Sequence, residues 1–188
     1  MTKAPTFAHV VLQTGQFQQM RDWYCTVLEA HVVHEGHGLC FTTFDEEHHR
    51  IALLDAPVQP RDPGAAGMHH TAYTFATLTD LLDRYVALKA SGIEPKVPIQ
   101  HGVTTSLYYQ DPDGNFVELQ IDNFDEPDQA TAYMKGPEYS DNPVGISFDP
   151  ELMRQAVARG TPISDIITQT WALRTSPDLP NPMIALTS

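Results

Sequence analysis

The stretches that decide the fold are Phe7-Ala-His-Val-Val-Leu-Gln13 and Met68-His-His-Thr-Ala-Tyr-Thr-Phe75, which both read as short strands in this 188-residue chain. Placing His9 on His70 aligns the chain with itself at an offset of 61 residues. An amphipathic helical pattern follows each stretch, and its apolar positions coincide at the same offset. The coincident positions are Phe17 with Leu78, Met20 with Leu81, Tyr24 with Tyr85, and Val27 with Leu88. The sequence therefore predicts a duplicated module.

Three further strand-like runs follow each predicted helix, separated by turn residues. These runs are His31–His34, Leu39–Phe44 and Arg50–Leu54 in the first half, and Glu94–Ile99, Thr104–Tyr109 and Asn115–Ile121 in the second. Asp111-Pro-Asp-Gly114 predicts a tight turn, because proline presets φ and the Asp-Gly pair supplies a position with positive φ. Each half is thus predicted as a strand, a helix and three strands. Val58–Ala66 is the predicted linker between the halves.

The last third of the chain differs in character from the repeat. Residues 125–188 are rich in proline and acidic side chains, and they contain one helical pattern, from Pro150 to about Arg159. We therefore expect one domain over residues 1–124, with a first module at about 5–57 and a second at about 66–124. We expect residues 125–188 to form a C-terminal extension with one short helix, which wraps the core, makes a subunit contact or stays partly loose.

Composition and charge exclude several classes of function. The chain has 24 acidic residues against 11 Lys and Arg, and its net charge of −13 argues against a nucleic acid partner. No apolar run reaches the roughly 18 residues that a membrane span needs, and the N-terminus lacks a leader for export. Cys25 and Cys40 are the only cysteines, so no disulfide framework is expected. These features predict a soluble cytoplasmic protein.

Three residues of the repeat are candidates for chemistry. His9 and His70 occupy equivalent positions on the two leading strands, although a lone strand histidine is more often structural. Glu118 lies in Phe116-Val-Glu-Leu-Gln-Ile121, where a carboxylate among apolar neighbours must be solvated, paired or bound to a metal. The alternative is a strand on which Glu118 faces water. His69 is expected on the face opposite His70, because successive side chains of a strand alternate.

The motif that identifies a family is Leu107-Tyr-Tyr-Gln-Asp-Pro-Asp-Gly-Asn-Phe-Val-Glu-Leu-Gln120, taken with the duplicated module. Over about residues 5–124 the chain resembles the vicinal oxygen chelate superfamily, also called the glyoxalase/bleomycin-resistance/dioxygenase fold. Within it, the chain is similar to small one-domain type I extradiol ring-cleaving dioxygenases that act on dihydroxybiphenyl-like catechols. The resemblance implies an α+β fold in which paired βαβββ modules form a half-open mixed barrel around a metal site.

The resemblance also implies the ligands of that metal. A histidine on the first strand, a histidine on the strand that opens the second module and a glutamate in the last strand hold iron in this family. These positions correspond to His9, His70 and Glu118. Two histidines and one carboxylate suit non-haem Fe(II) and leave positions open for reactants. We expect Fe(II), with Mn(II) as the alternative metal.

Three further residues match the catalytic positions of extradiol enzymes. His49 begins a His-x-x-Ala-Leu strand, His101 precedes the Asp-Pro-x-Gly turn, and Tyr108 stands ten residues before Glu118. The resemblance assigns acid–base work near O2 to His49, since an imidazole titrates near neutral pH. It assigns hydrogen bonds to the substrate oxygens to His101 and Tyr108.

The resemblance implies extradiol cleavage of a catechol with O2, and two other classes of function stay open. The first is another metalloenzyme of the superfamily, a lyase, isomerase or thiol transferase that uses Zn, Mn or Ni. The presence of His49, His101 and Tyr108 argues against it. The second is a non-catalytic small-molecule binder, against which His9, His70 and Glu118 count. The expected partners are a small catechol, O2 and further copies of the chain in a homo-oligomer.

Overall fold

A computed structural model describes residues 4–59 and 66–186 of the chain, with the side chain of residue 185 left out. The described residues form two compact units. The first comprises residues 4–59 together with the turn at Asp111–Asn115. The second comprises residues 66–110 and 116–186. Most of the predicted linker, residues 60–65, lies outside the described residues.

The first unit has the predicted order of a strand, a helix and three strands. Its elements are β1 (Val10–Thr14), α1 (Phe17–Leu28), β2 (His31–Gly36), β3 (Leu39–Thr43) and β4 (Ile51–Asp55). The strands form a sheet in the order β1-β4-β3-β2, in which β1 and β4 are parallel and the other neighbours are antiparallel. Helix α1 buries the predicted face, with Met20, Tyr24 and Val27 in the core.

The second unit repeats this topology. Its elements are β5 (His70–Thr74), α2 (Leu78–Ala90), β6 (Val97–Gln100), β7 (Thr104–Gln110) and β8 (Phe116–Asp122). The order β5-β8-β7-β6 again pairs the first and last strands in parallel. Two mixed sheets with helices confirm the α+β fold class. The leading strands start later than predicted, because Phe7–His9 and Met68–His69 precede the paired residues.

The two ends and the buried face of helix α2 are explained by its sequence. The Thr77 side chain caps its N-terminus by accepting a hydrogen bond from the Asp80 N–H. Gly92 follows the helix with a φ of 77°, a conformation that favours glycine. Its buried face carries the apolar residues that the period predicted, and Leu81 is fully buried among them. Helix α2 therefore covers one face of the second sheet, and the opposite face carries the site described below.

The C-terminal extension differs from the prediction of a single short helix. Its elements are α3 (Pro127–Met134), α4 (Pro137–Asp141), β9 (Ile146–Ser147), α5 (Pro150–Ala158), α6 (Ile163–Ile166), α7 (Gln169–Thr175) and α8 (Pro182–Leu186). Of these, α5 is the predicted helix. The others are short and several begin at a proline, so they offer too few turns for a periodic apolar pattern. Strand β9 adds to the second sheet beside β6.

The extension is part of the second compact unit. Lys89 of α2 and Glu151 of α5 form an ion pair with an Nζ–Oε1 distance of 3.0 Å. That residues 1–124 alone form the domain remains a prediction. Among the described residues, no helix has the length and apolar character needed to cross a bilayer.

The predicted turn at Asp111–Gly114 is present in the first unit. Asp111 accepts hydrogen bonds from the backbone N–H groups of Asp113 and Asn115 and from the hydroxyl of Tyr24, which lies 3.0 Å away. Gly114 adopts a φ of 89°, as the Asp-Gly pair predicted. The turn is therefore fixed by a buried acceptor.

We predict that Cys40 resists alkylation in the folded protein. Its side chain is fully buried, and burial raises the pKa of the thiol to about 11. Because the thiolate is the reactive form, a pH about three units lower leaves only about one thiol in a thousand ionised. Mass mapping after iodoacetamide treatment should find Cys40 modified only when the protein is unfolded in guanidinium. Equal labelling of the folded and unfolded protein would contradict this packing.

Candidate active site

The centre of the candidate site is a pair between His70 and Glu118 in the second unit. In the parallel register of β5 and β8, His70 lies opposite Phe116, and Ala72 lies opposite Glu118. His70 and Glu118 therefore point to the same face of the sheet, which we call the site face. The Nε2 atom of His70 lies 3.0 Å from an oxygen of Glu118, and the Glu118 side chain is only 5% exposed. The interpretation of Glu118 as a solvated strand residue is therefore wrong.

Tyr108 and His101 extend the site face beside this pair. Tyr108 lies directly opposite Glu118 in the antiparallel register of β7 and β8. Its hydroxyl is 3.1 Å from Nε2 of His101, which follows the end of β6. The Tyr108 and His70 rings meet edge to face with centroids 5.3 Å apart. The second unit thus brings together His70, His101, Tyr108 and Glu118.

Burial and hydrogen bonding set the charges of this group. Burial opposes ionisation of Glu118, but hydrogen bonds from His70 and Ser106 and the charge of His101 hold its pKa below the usual value. Burial raises the pKa of Tyr108, and the Glu118 charge adds to that effect. Burial lowers the pKa of His101. The arrangement is a carboxylate beside a neutral phenol and the imidazoles of His70 and His101.

The donor set of the pair fits a metal ion. A carboxylate oxygen and an imidazole nitrogen are both ligands of non-haem iron. Neighbouring ligands at about 2.1 Å from an octahedral ion lie about 3.0 Å apart, which is the separation of the His70 and Glu118 atoms. A buried carboxylate needs a metal ion, a cation or hydrogen-bond donors beside it. This separation is also that of a hydrogen bond, so the donor set fits a metal while the role of His70 and Glu118 as ligands stays a prediction.

His9 and His49 lie together in the first unit. Their ring centroids are 4.3 Å apart, and the His49 ring stacks on Phe41 at 4.7 Å. Burial lowers the pKa of His49, and the neighbouring His9 and His48 act in the same direction. His49 is therefore held as a partly buried neutral imidazole, with His48 Nδ1 2.6 Å from its own Nδ1.

The described residues of each unit contain no complete cluster of three or more His, Cys, Asp or Glu side chains that could hold a metal. Two of the three predicted ligands, His70 and Glu118, are paired in the second unit. His9, the third, belongs to the first unit. The complete ligand set remains a prediction.

The loop that carries His101 is held by residues that sequence reasoning missed. Fully buried Gln100 accepts hydrogen bonds from the Gly102 N–H at 3.0 Å and from the Asn123 amide at 2.8 Å. Gln169 of α7 donates to the carbonyl of His101 at 3.0 Å. A Cβ at Gly102, where φ is 90°, would collide with the Tyr133 ring. The extension therefore helps to place His101.

Two further polar residues beside this group make contacts that the sequence did not predict. Ser106 hydrogen-bonds Glu118, and its position two residues before Tyr108 on one strand was the signal for it. His69 lies beside His70, with their Nδ1 atoms 2.8 Å apart, and stacks on Phe116 of the site face. The expectation that His69 points away from His70 was wrong, because β5 begins only at His70 and strand alternation does not extend to His69.

An apolar wall completes the site face. Buried Val97, Ile99, Tyr108 and Phe116 form one cluster, and partly buried Leu186 of α8 packs against it. The register places Val97 opposite Tyr108, which is itself opposite Glu118. The wall therefore adjoins the polar group.

A separate cleft of about 610 Å³ lies elsewhere in the second unit. Its lining includes Gly102, Asn123, Tyr133, Asn142 and Gln169. Among the described residues that line it, none belongs to the predicted site. The burial of Glu118, the strand register and the ligand chemistry of His70 and Glu118 favour the site face over this cleft as the candidate active site.

Comparison with known proteins assigns the class that these features define. Residues 6–119 match the family model of the Glyoxalase/Bleomycin resistance protein/Dioxygenase superfamily. The chain belongs to this superfamily, as the resemblance in its sequence implied. A crystal structure of a glyoxalase/bleomycin resistance protein/dioxygenase from Alicyclobacillus acidocaldarius shares the fold, with a TM-score of 0.53 and 15% identity, and covers 66% of this chain and 97% of that one.

Two curated relatives are from Rhodococcus globerulus. Biphenyl-2,3-diol 1,2-dioxygenase 2 is 77% identical over 190 residues, which cover 100% of both chains. Biphenyl-2,3-diol 1,2-dioxygenase 3 is 54% identical over 178 residues, which cover 93% of this chain and 94% of that relative. The likeness to these relatives extends through the C-terminal extension.

Two adjacent tyrosines on opposite faces of β7 give a matched test of the site face. We expect Tyr108→Phe to lower the free energy of unfolding by about 1 kcal/mol, because it removes the buried hydrogen bond with His101. Tyr109 is also buried, but its hydroxyl has no hydrogen-bond partner among the described residues. Tyr109→Phe should therefore leave stability unchanged or raise it slightly. Urea unfolding of both metal-free variants checks this, and equal losses would contradict the described hydrogen bonds.

Proposed function

We propose that this protein is an extradiol dioxygenase, which uses Fe(II) and O2 to cleave the ring of a catechol such as 2,3-dihydroxybiphenyl beside its two hydroxyl groups. The observation that carries the reaction is the 77% identity, over the full chain, to a relative named biphenyl-2,3-diol 1,2-dioxygenase. The buried pair of His70 and Glu118 beside Tyr108 and His101 supports the same chemistry. The relatives do not favour a lyase, isomerase, thiol transferase or non-catalytic binder.

We assign the metal ligands to His9, His70 and Glu118. The pairing of His70 with Glu118 supports two of these assignments, and the family motif supports the third. When bound, Fe(II) supplies the redox chemistry that allows O2 to react with a chelating catechol. Mn(II) is the alternative metal, because the same ligand types suit both ions.

The remaining assigned residues handle protons and hydrogen bonds. His49 is the acid–base residue that takes a proton from a catechol hydroxyl, since a neutral imidazole accepts one near neutral pH. Tyr108 and His101 hydrogen-bond a substrate oxygen, where negative charge grows as the ring is attacked. Their mutual distance of 3.1 Å and the burial of Tyr108 hold both groups in place before the substrate arrives.

The apolar wall suits an aromatic substrate. Val97, Ile99 and Phe116 lie on the face that carries Glu118, and Leu186 packs against them. Such a surface holds an aromatic ring and excludes water, while polar groups at one end fix its orientation. A bicyclic catechol matches this division, which supports a dihydroxybiphenyl-like substrate.

The cellular setting is also a proposal. Cys25 and Cys40 are free thiols, which suits a reducing cytoplasm. We infer a homo-oligomer, because most soluble oligomers are assembled from identical chains.

The direct test is anaerobic loading with Fe(II), followed by 2,3-dihydroxybiphenyl and air. We expect a yellow ring-opened product, uptake of one O2 per substrate, and no product when Zn(II) replaces Fe(II). Parallel loading with Mn(II) decides between the two proposed metals. Stoichiometric iron without cleavage of this diol or of simple catechol would contradict the reaction. A protein that binds no metal would favour a non-catalytic binder.

Substitutions separate the metal ligands from the proton-handling residue. Glu118→Gln should abolish stoichiometric Fe(II) binding, because it removes a charged ligand. His49→Ala should keep the iron but lower kcat by about 10²- to 10⁴-fold. His31→Ala provides a matched control, since His31 is an exposed histidine of β2 that is not among the assigned residues. Unchanged turnover of His49→Ala at saturating catechol would contradict an acid–base role for His49.

A further inference from the structure

His69 connects the predicted metal ligand His70 to the C-terminal helix. Its Nδ1 lies 2.8 Å from Nδ1 of His70, and its Nε2 lies 3.1 Å from the backbone oxygen of Leu186. The ring stacks on Phe116, with centroids 5.5 Å apart and an angle of 14° between the planes. Both ring nitrogens of His69 are therefore engaged, although its side chain is exposed.

The chemistry of these groups gives the two hydrogen bonds a direction. A backbone carbonyl can only accept, so Nε2 of His69 must carry the hydrogen that it donates to Leu186. In a neutral imidazole the other nitrogen is then an acceptor. Nδ1 of His69 consequently accepts from Nδ1–H of His70. His70 therefore carries a hydrogen on Nδ1, and its Nε2–H is the group that donates to Glu118, in the place that a metal ion would take.

The nitrogen that this arrangement leaves for a metal is the one that faces Glu118. Nε2 of His70 is the nitrogen that lies 3.0 Å from the Glu118 carboxylate. A metal ligand must present an unprotonated nitrogen, and hydrogen bonds to its other nitrogen commonly fix both the tautomer and the ring orientation. The Leu186 carbonyl implies that Nδ1–H of His70 donates to His69. Metal binding at Nε2 of His70 requires the same position of that hydrogen.

The acceptor at the end of this chain of hydrogen bonds is itself held in place. The Leu186 side chain packs against the cluster of Val97, Ile99, Tyr108 and Phe116. The segment leading to α8 is fixed where the Ser147 hydroxyl donates to the carbonyl of Pro180 at 2.7 Å. The carbonyl that orients His69 therefore has a defined position on the second sheet.

We propose that His69 is a positioning residue for the metal site, which relays the orientation of the Leu186 carbonyl to His70 and holds Nδ1–H of His70, so that Nε2 is the nitrogen that binds the metal. This inference rests on the proposed function in one respect, namely that His70 is a metal ligand. It assigns the C-terminal helix a role in metal affinity.

The first test reads the tautomers directly in the metal-free protein. Long-range ¹H–¹⁵N NMR of histidine-labelled protein should show His69 protonated on Nε2 and His70 protonated on Nδ1. Residue assignments come from the spectra of His69→Phe and His70→Ala. In His69→Phe, which retains a ring to stack on Phe116, His70 should lose its fixed Nδ1–H form. A wild-type His70 without a hydrogen on Nδ1 would overturn the proposal, and this readout does not depend on iron or turnover.

The second test measures metal affinity by anaerobic titration with Fe(II). His69→Phe should weaken Fe(II) binding by about 10- to 100-fold, the range found for residues that support a metal ligand. His69→Gln offers one acceptor and one donor, so it should recover part of that affinity. His31→Phe, on an exposed strand of the first unit, is the matched control. Equal affinity of His69→Phe and the wild type would overturn the proposal.

The two proposals fail in different ways. If the wild type binds no Fe(II) but His70 is held in its Nδ1–H form, the metal function fails and the hydrogen-bond relay stands as a structural feature. If the wild type cleaves the catechol and His69→Phe binds Fe(II) unchanged, the function stands and the relay is wrong. Should His69→Phe not fold, the wild-type NMR spectrum and His69→Gln decide the question.

Discussion

The buried carboxylate of Glu118 is the constraint on which the second unit depends. Its strand is enclosed by apolar residues, and a charge in such surroundings requires compensating partners. His70, Ser106 and the neighbouring His101 supply them, and each is placed by strand register or by the turn after β6. The site face therefore follows from the need to stabilise one charge, which a metal ion would satisfy more fully.

The C-terminal extension belongs to this arrangement as much as the repeated strands do. Gln169 of α7 fixes the carbonyl of His101, and the backbone of Val144 hydrogen-bonds the His101 side chain. Leu186 of α8 completes the apolar wall and accepts a hydrogen bond from His69. The extension thus contacts His101, His69 and the apolar wall in the second unit.

The repeat was predictable because its signals are local. Strand alternation, the Thr77 cap and the Asp-Pro-Asp-Gly turn each act over a few residues, and the structure confirms the order of elements that they predict. Apart from α5, the helices of the extension were not predictable, because they are too short for a periodic apolar pattern. The burial of Glu118 and the position of His69 depend on strand ends and register, which periodicity alone does not fix.

The central claim is that His9, His70 and Glu118 hold one iron ion. Anomalous diffraction at the iron edge, from crystals loaded anaerobically with Fe(II), tests it most directly. The account predicts a single strong peak within bonding distance of Nε2 of His70 and a carboxylate oxygen of Glu118, with His9 as the third protein ligand. Iron bound elsewhere, or at His70 and Glu118 without His9, would contradict it.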